Sequence, residues 1–190
     1  MSLDHPGFAD PVLDSQACFR AVLDAMARPG TVHTVGAPVS PPPPLDRAMA
    51  AALLTLVDAE TPVWLDDMAG GAAEWIAFHC GAPRVACGEA MFGVALGAVG
   101  LGGFHAGSDE GPETGATLIL QVAGLGRGTA YRLSGPGLAA PAVLRVEGLA
   151  AGFVAEWRAN HGLFPRGIDL VLCAGDALAA FPRTLTVEEG

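Results

Sequence analysis

Among the arginines that stand beside prolines are those of Arg28-Pro29, Pro165-Arg166 and Pro182-Arg183. Proline takes a segment out of regular structure, so these guanidinium forks sit on stiff loops where a bidentate grip on a phosphate or carboxylate is preorganised. Two outcomes stay open: an external anion, or the chain's own carboxylates, which outnumber the arginines twenty to ten. The segment Gly135-Pro136-Gly137-Leu138-Ala139-Ala140 has the glycine spacing of a dinucleotide fingerprint, with Glu156 about twenty residues on as a ribose partner. That fingerprint must open a helix, whereas Pro141 and the strand-like Ala142 to Val146 follow here. A plain strand-to-strand turn is expected, with a backbone anion nest at Gly135 and Gly137 as the alternative.

Other groups offer less. Gly97 to Gly103 is glycine-rich without a nearby basic residue, so closely packed or flexible backbone is expected rather than a phosphate loop. Ser108 and Ser134 lack the frame of a nucleophile elbow. His79-Cys80 with Cys87 completes no zinc spacing and reads as a packed core cluster. Asp58-Ala59-Glu60 and Asp109-Glu110 with Glu113 are carboxylate pairs that could bind a metal or act as acid and base. Asp58 also ends a helix and the Asp109 group lies in a Gly/Pro turn, so solvated turn chemistry is expected. No catalytic, cofactor-binding or metal-binding residue is assigned.

All ten basic residues are arginines. A Schiff base to pyridoxal phosphate, an amine nucleophile and the lysine of a P-loop all need an ε-amine that arginine cannot replace. The formal charge of -10 opposes nucleic acid and anionic lipid as partners. Four scattered cysteines in a chain this long read as ordinary buried thiols. No charged-then-apolar leader follows Met1-Ser2-Leu3 and no bilayer span is visible, so a cytoplasmic protein is expected. At 51% hydrophobic and 16% charged residues the chain is greasy for a soluble domain, which suggests surface buried against a partner.

The elements that must carry these residues follow from periodicity. Asp10-Pro11 caps a first helix whose apolar face is read as Phe19, Val22, Leu23 and Met26. Leu45 to Asp58, Ala72 to His79 and Gly152 to Asn160 are further helices. Strands are expected at Thr31 to Val35, Val63 to Leu65, Met91 to Leu96, Thr117 to Ala123, Thr129 to Ser134, Ala142 to Val146 and Ile168 to Cys173. The Pro41 to Pro44 run is a stiff connector. The sum is one α/β domain over residues 1–190, a mixed central sheet flanked by helices with several antiparallel strands mid-chain.

Seven segments in order then resemble the PhnH family, a component of the bacterial carbon-phosphorus lyase system: Phe8 to Arg20, Ala25 to Gly30, Thr55 to Leu65, Pro112 to Thr117, Leu133 to Gly137, Phe164 to Asp169 and Phe181 to Thr184. The resemblance implies a fold similar to the pyridoxal-phosphate-dependent transferases but without that cofactor. It implies a protein that forms a homodimer alone and assembles with subunits G, I and J. The family's core complex exchanges adenine of a purine nucleoside triphosphate for an alkylphosphonate, giving a ribose 1-alkylphosphonate 5-triphosphate. An accessory, non-catalytic role in phosphonate breakdown is therefore expected. The alternatives are a small-molecule phosphonate or nucleotide binder using Arg28, Arg166 and Arg183, and a free-standing homodimeric scaffold.

Overall fold

The computed structural model describes residues 5–190; Met1-Ser2-Leu3, on which the reading of a missing leader rested, lies outside them. Helix α1 (Pro11–Ala27) begins as expected, with the Asp10 carboxylate accepting from the Val12 and Leu13 amides at 3.2 and 3.1 Å. Its buried face differs from the expectation. Cys18, Ala21, Val22 and Ala25 point inward, whereas Phe19 and Leu23 are 50% and 56% exposed. Both sets have the same helical spacing, so periodicity alone cannot choose between them. The choice is made by what lies underneath, because α1 packs on α2 (Arg47–Leu56), where every residue from Ala48 to Leu53 is buried. Alanine-lined helix surfaces approach closely only when the facing residues are also small.

The strands are β1 (His33–Thr34), β2 (Val63–Leu65), β3 (Phe92–Leu96), β4 (Thr117–Gln121), β5 (Gly124–Ser134), β6 (Ala142–Glu147), β7 (Asp169–Ala174), β8 (Ala177–Phe181) and β9 (Thr186–Glu189). They form a six-stranded mixed sheet in the order β1-β8-β7-β4-β3-β2 and a three-stranded antiparallel sheet in the order β6-β5-β9. In the larger sheet β2, β3, β4 and β7 run parallel, and β8 is antiparallel to β7. The α/β class and the mixed sheet stand. The expected antiparallel set in mid-chain is narrower than read, since β3 and β4 pair in parallel and only β5 and β6 form a mid-chain hairpin. Sequence reading also missed β8 and β9. Ala177 to Phe181 carries three alanines and has low strand propensity; its place is secured by pairing with β7, a tertiary effect.

Alternation along the central strands sends residues to two cores. Val94, Ile119, Val171 and Cys173 face α1, α2 and α3 (Ala73–Cys80). Leu118, Leu120, Leu170, Leu172 and Phe181 face the small sheet and α4 (Phe153–His161), where Trp157 is fully buried and donates its indole N–H to the Leu185 carbonyl at 2.7 Å. A sheet covered on both faces explains why β4 and β7 read as continuous apolar runs. Among the described residues, no helix is long and apolar enough to cross a membrane.

The cysteines divide between these cores, which corrects the reading of His79-Cys80 with Cys87 as one cluster. Cys18, Cys80 and Cys173 are buried in the helical core, while Cys87 is only partly buried and packs at the edge of the other. Removal from water disfavours thiolates. Burial first, and the nearby Asp58 charge second, push the Cys80 thiol from its ordinary value of 9.0 to about 12. Cys173 rises further for the same leading reason, and desolvation lifts Cys87 more gently. Because these values are raised in the fold, the stability contributed by protonated thiols is complete below pH 9 and is lost as pH climbs toward 12. Native protein treated with iodoacetamide at pH 8 is expected to alkylate at Cys87 alone, and at all four cysteines in guanidinium. Mass spectrometry after proteolysis checks the assignment, and urea midpoints are expected to fall from pH 9 upward.

Candidate functional site

Each candidate read from the sequence is an arginine or a glycine on a loop, and the loops belong to two neighbouring junctions. The first is at the N-terminal ends of β4 and β7. There Pro112 to Ala116, Phe164 to Ile168 and Pro182 to Leu185 meet, so three of the ordered motifs converge. At their centre the Arg183 guanidinium grips Asp169. Nη2 donates to Oδ2 at 2.6 Å, Nε to the two carboxylate oxygens at 3.1 and 3.2 Å, and the Arg183 amide to Oδ1 at 2.7 Å. Nη1 donates to the Pro112 carbonyl. The two side chains are only 13% and 19% exposed, so little solvent screens the pair. Gly115 lets this happen, because a side chain there would collide with the Gly167 carbonyl and the Arg183 guanidinium.

Arg166 borders the same junction but faces outward. Its Nε lies 3.0 Å from Asp109 Oδ1, yet it makes no directed hydrogen bond, so the contact is Coulombic. Asp109 thus pairs with an arginine rather than standing free in its turn. Asn160 closes the junction from α4, donating to the Ile168 carbonyl at 2.9 Å and accepting from the Ile168 amide at 2.8 Å.

The second junction is at the C-terminal end of α1. Arg28 is 64% exposed and pairs with Asp24 one helical turn back at 2.8 Å. Gly135 and Gly137 sit in the turn between β5 and β6, closed by a Leu138 amide to Gly135 carbonyl bond at 3.2 Å. The turn joins two strands, and Glu156 accepts from the Leu101 amide at 2.8 Å on another part of the molecule. Gly137 has φ +85° and lies so close to the Ala27 carbonyl and Pro29 that a Cβ would overlap backbone. Gly135, at φ +141°, faces the Thr184 carbonyl. The turn therefore clamps the Arg28-Pro29 and Arg183-Thr184 segments together through backbone.

The structure thus gathers Arg166 and Arg183 at one junction and Arg28 with Gly135 and Gly137 at the other, and gives each guanidinium a carboxylate of this chain. Among the described residues, no group of three or more histidine, cysteine, aspartate or glutamate side chains is placed to hold a metal ion. Sequence reasoning passed over Asp169, Asn160 and Gln121. Gln121 ties two segments by accepting from the Asp46 amide at 2.7 Å and donating to the Pro44 carbonyl at 3.0 Å. A signal for Asp169 did exist, since it ends one ordered motif as Arg183 sits inside the next.

A buried ion pair loses most when one member is removed and the other remains desolvated. Arg183→Met is expected to cost about 3 kcal/mol of unfolding free energy. Arg28→Met and Arg166→Met should each cost below about 1 kcal/mol, because those pairs are exposed. Urea unfolding followed by tryptophan fluorescence measures all three.

Comparison with known proteins covers nearly the whole chain. A family model described as "Bacterial phosphonate metabolism protein (PhnH)" matches residues 6–188. The alpha-D-ribose 1-methylphosphonate 5-triphosphate synthase subunit PhnH of Rhizobium meliloti (strain 1021) is 39% identical over 191 residues, covering 95% of this chain and 94% of that protein. A putative C-P lyase subunit protein, HtxG of Stutzerimonas stutzeri, is 35% identical over 81 residues, 41% of this chain and 40% of its own length.

Proposed function

The chain belongs to the bacterial phosphonate metabolism protein (PhnH) family, and on that premise we propose that it is an accessory, non-catalytic subunit of a carbon-phosphorus lyase assembly. The observation that carries this reading is the end-to-end match to a relative named as a subunit of the ribose 1-methylphosphonate 5-triphosphate synthase. In that role the chain supports formation of the ribose 1-alkylphosphonate 5-triphosphate, and its partners are subunits G, I and J. It works in the cytoplasm as one domain over residues 1–190, and pairs with itself when alone. Its fold is distantly similar to the pyridoxal-phosphate-dependent transferases. A chain without lysine has no ε-amine to bind that cofactor as a Schiff base.

A role within an assembly is supported by α1. Val12, Leu13, Phe19 and Leu23 are all at least half exposed on one helix, and Val32 just beyond it is partly exposed. Phe19 and Leu23 are four apart and Val12 lies two turns before Phe19, so these three share a stripe. Burying them against a neighbour would contribute roughly 25 cal/mol for each Å² removed from water. The stripe gives the surplus apolar composition a specific location.

A second reading, anion binding, is favoured by Arg28, whose side chain keeps most of its surface in solvent. It predicts heat on titrating methylphosphonate into the isolated protein, lost in Arg28→Met.

Co-expression with subunits G, I and J followed by affinity purification tests the leading reading, which fails if the chain is left out of an assembly those subunits form. The double variant Phe19→Asp, Leu23→Asp is expected to keep its thermal midpoint within a few degrees and to co-purify at least tenfold less. Surface changes of this kind cost within about 0.5 kcal/mol of stability. Unchanged co-purification would place the contact elsewhere.

A further inference from the structure

A cavity of about 600 Å³ lies between α4 and the glycine-rich connection from β3 to β4. This exceeds the cleft near Leu45 and Asp176, about 520 Å³, and falls within the roughly 300–1,000 Å³ typical of small-molecule sites. Leu101, Phe104, Ala159, Leu163 and Ile168 supply most of its wall. Glycines at 100 and 102 let backbone form the remainder without filling the space. The arrangement is built rather than loose, since Glu156 Oε2 fastens the connection to α4 through the Leu101 amide at 2.8 Å.

The polar groups of this wall are unequal. Asn160 spends its carbonyl and its amide on Ile168. Glu156 uses Oε2 for the Leu101 amide, and as an exposed residue it keeps the rest of its carboxylate open to solvent at the edge of the cavity. Arg28, Arg166 and Arg183 are not among the lining residues. The cavity therefore sets a carboxylate at the edge of an apolar wall, and that charge favours a cation over an anion beside it. This is the opposite selectivity to a phosphate or phosphonate site.

We propose that this cavity binds a small apolar molecule ending in N–H donors, an amidine or a protonated amine, with Glu156 accepting from the donor and the apolar wall holding the body. Charge sign sets the discrimination and the wall supplies affinity, as is usual for concave sites with one orienting group. An arginine side chain from a neighbouring subunit shares this chemistry; the occupant proposed is a free small molecule.

Benzamidine and benzoate are close in shape and opposite in charge, which makes them the probes. In calorimetric titrations of the full chain at low ionic strength, benzamidine is expected to bind at millimolar concentration and at least tenfold more tightly than benzoate. Glu156→Gln keeps a carbonyl for the Leu101 amide and removes the charge, so the preference should shrink several-fold at an unchanged thermal midpoint. Ala159→Trp, an exposed position on the rim, should fill the space and abolish binding. Equal binding of the two probes, no binding of benzamidine at millimolar concentration, or a full preference surviving in Glu156→Gln would overturn the proposal. Binding retained in the assembly purified with its partner subunits supports a small-molecule site. Binding by the free chain that vanishes in that assembly overturns it in favour of an interface side chain.

Discussion

The Arg183–Asp169 ion pair closes the open end of the β7–β8 hairpin, next to the Leu170–Phe181 pairing, and ties it to the segment before β4. Asp169 begins β7 in the six-stranded sheet, and Arg183 lies on the passage from β8 to β9, where the chain leaves the large sheet for the small one. The guanidinium also reaches the Pro112 carbonyl, in the segment leading to β4. A planar fork with five donors can satisfy a carboxylate and a carbonyl together, and in a poorly solvated junction those bonds are strong and directional. Lysine offers one ammonium and could not reproduce the geometry. The chain is thereby anchored to the large sheet at the point where it leaves for the small one.

Around that junction the central sheet divides the interior into a helical core and a core shared by α4 and the small sheet. The helical core is built on small side chains. A run of six buried residues in α2, four of them alanine, brings α1 close and obliges α1 to turn its small residues inward. The larger ones, Phe19 and Leu23, consequently face out. An exposed apolar stripe is thus a consequence of tight internal packing, and it is the surface that the proposed assembly would cover.

Electrostatics sort the surface in a way the charge total does not. The chain is strongly acidic, yet Arg28, Arg166 and Arg183 are each paired with a carboxylate of the same chain. Beside the roomy cavity the lining charge is the carboxylate of Glu156. With Glu156 on its wall and no arginine among its lining residues, that cavity is poorly suited to hold a triphosphate. This agrees with an accessory subunit.

The α/β class, the capped first helix, most of the strands and the exclusion of lysine chemistry were legible in the residues alone, because they depend on local period, capping residues and counts. The family was legible too, through motifs that read in order along the chain. Which of two overlapping stripes on α1 is buried was not, since Cys18, Ala21, Val22 and Ala25 have the same spacing as Phe19, Val22, Leu23 and Met26. Nor were β8 and β9, which owe their place to pairing with other strands rather than to their own propensities. That Arg183 meets Asp169, that Glu156 anchors a loop rather than a ribose, and that Gly137 lies against Ala27 emerge only in the folded molecule. Those relations join residues far apart in the chain, and their energies exist only once close packing has excluded water from between them.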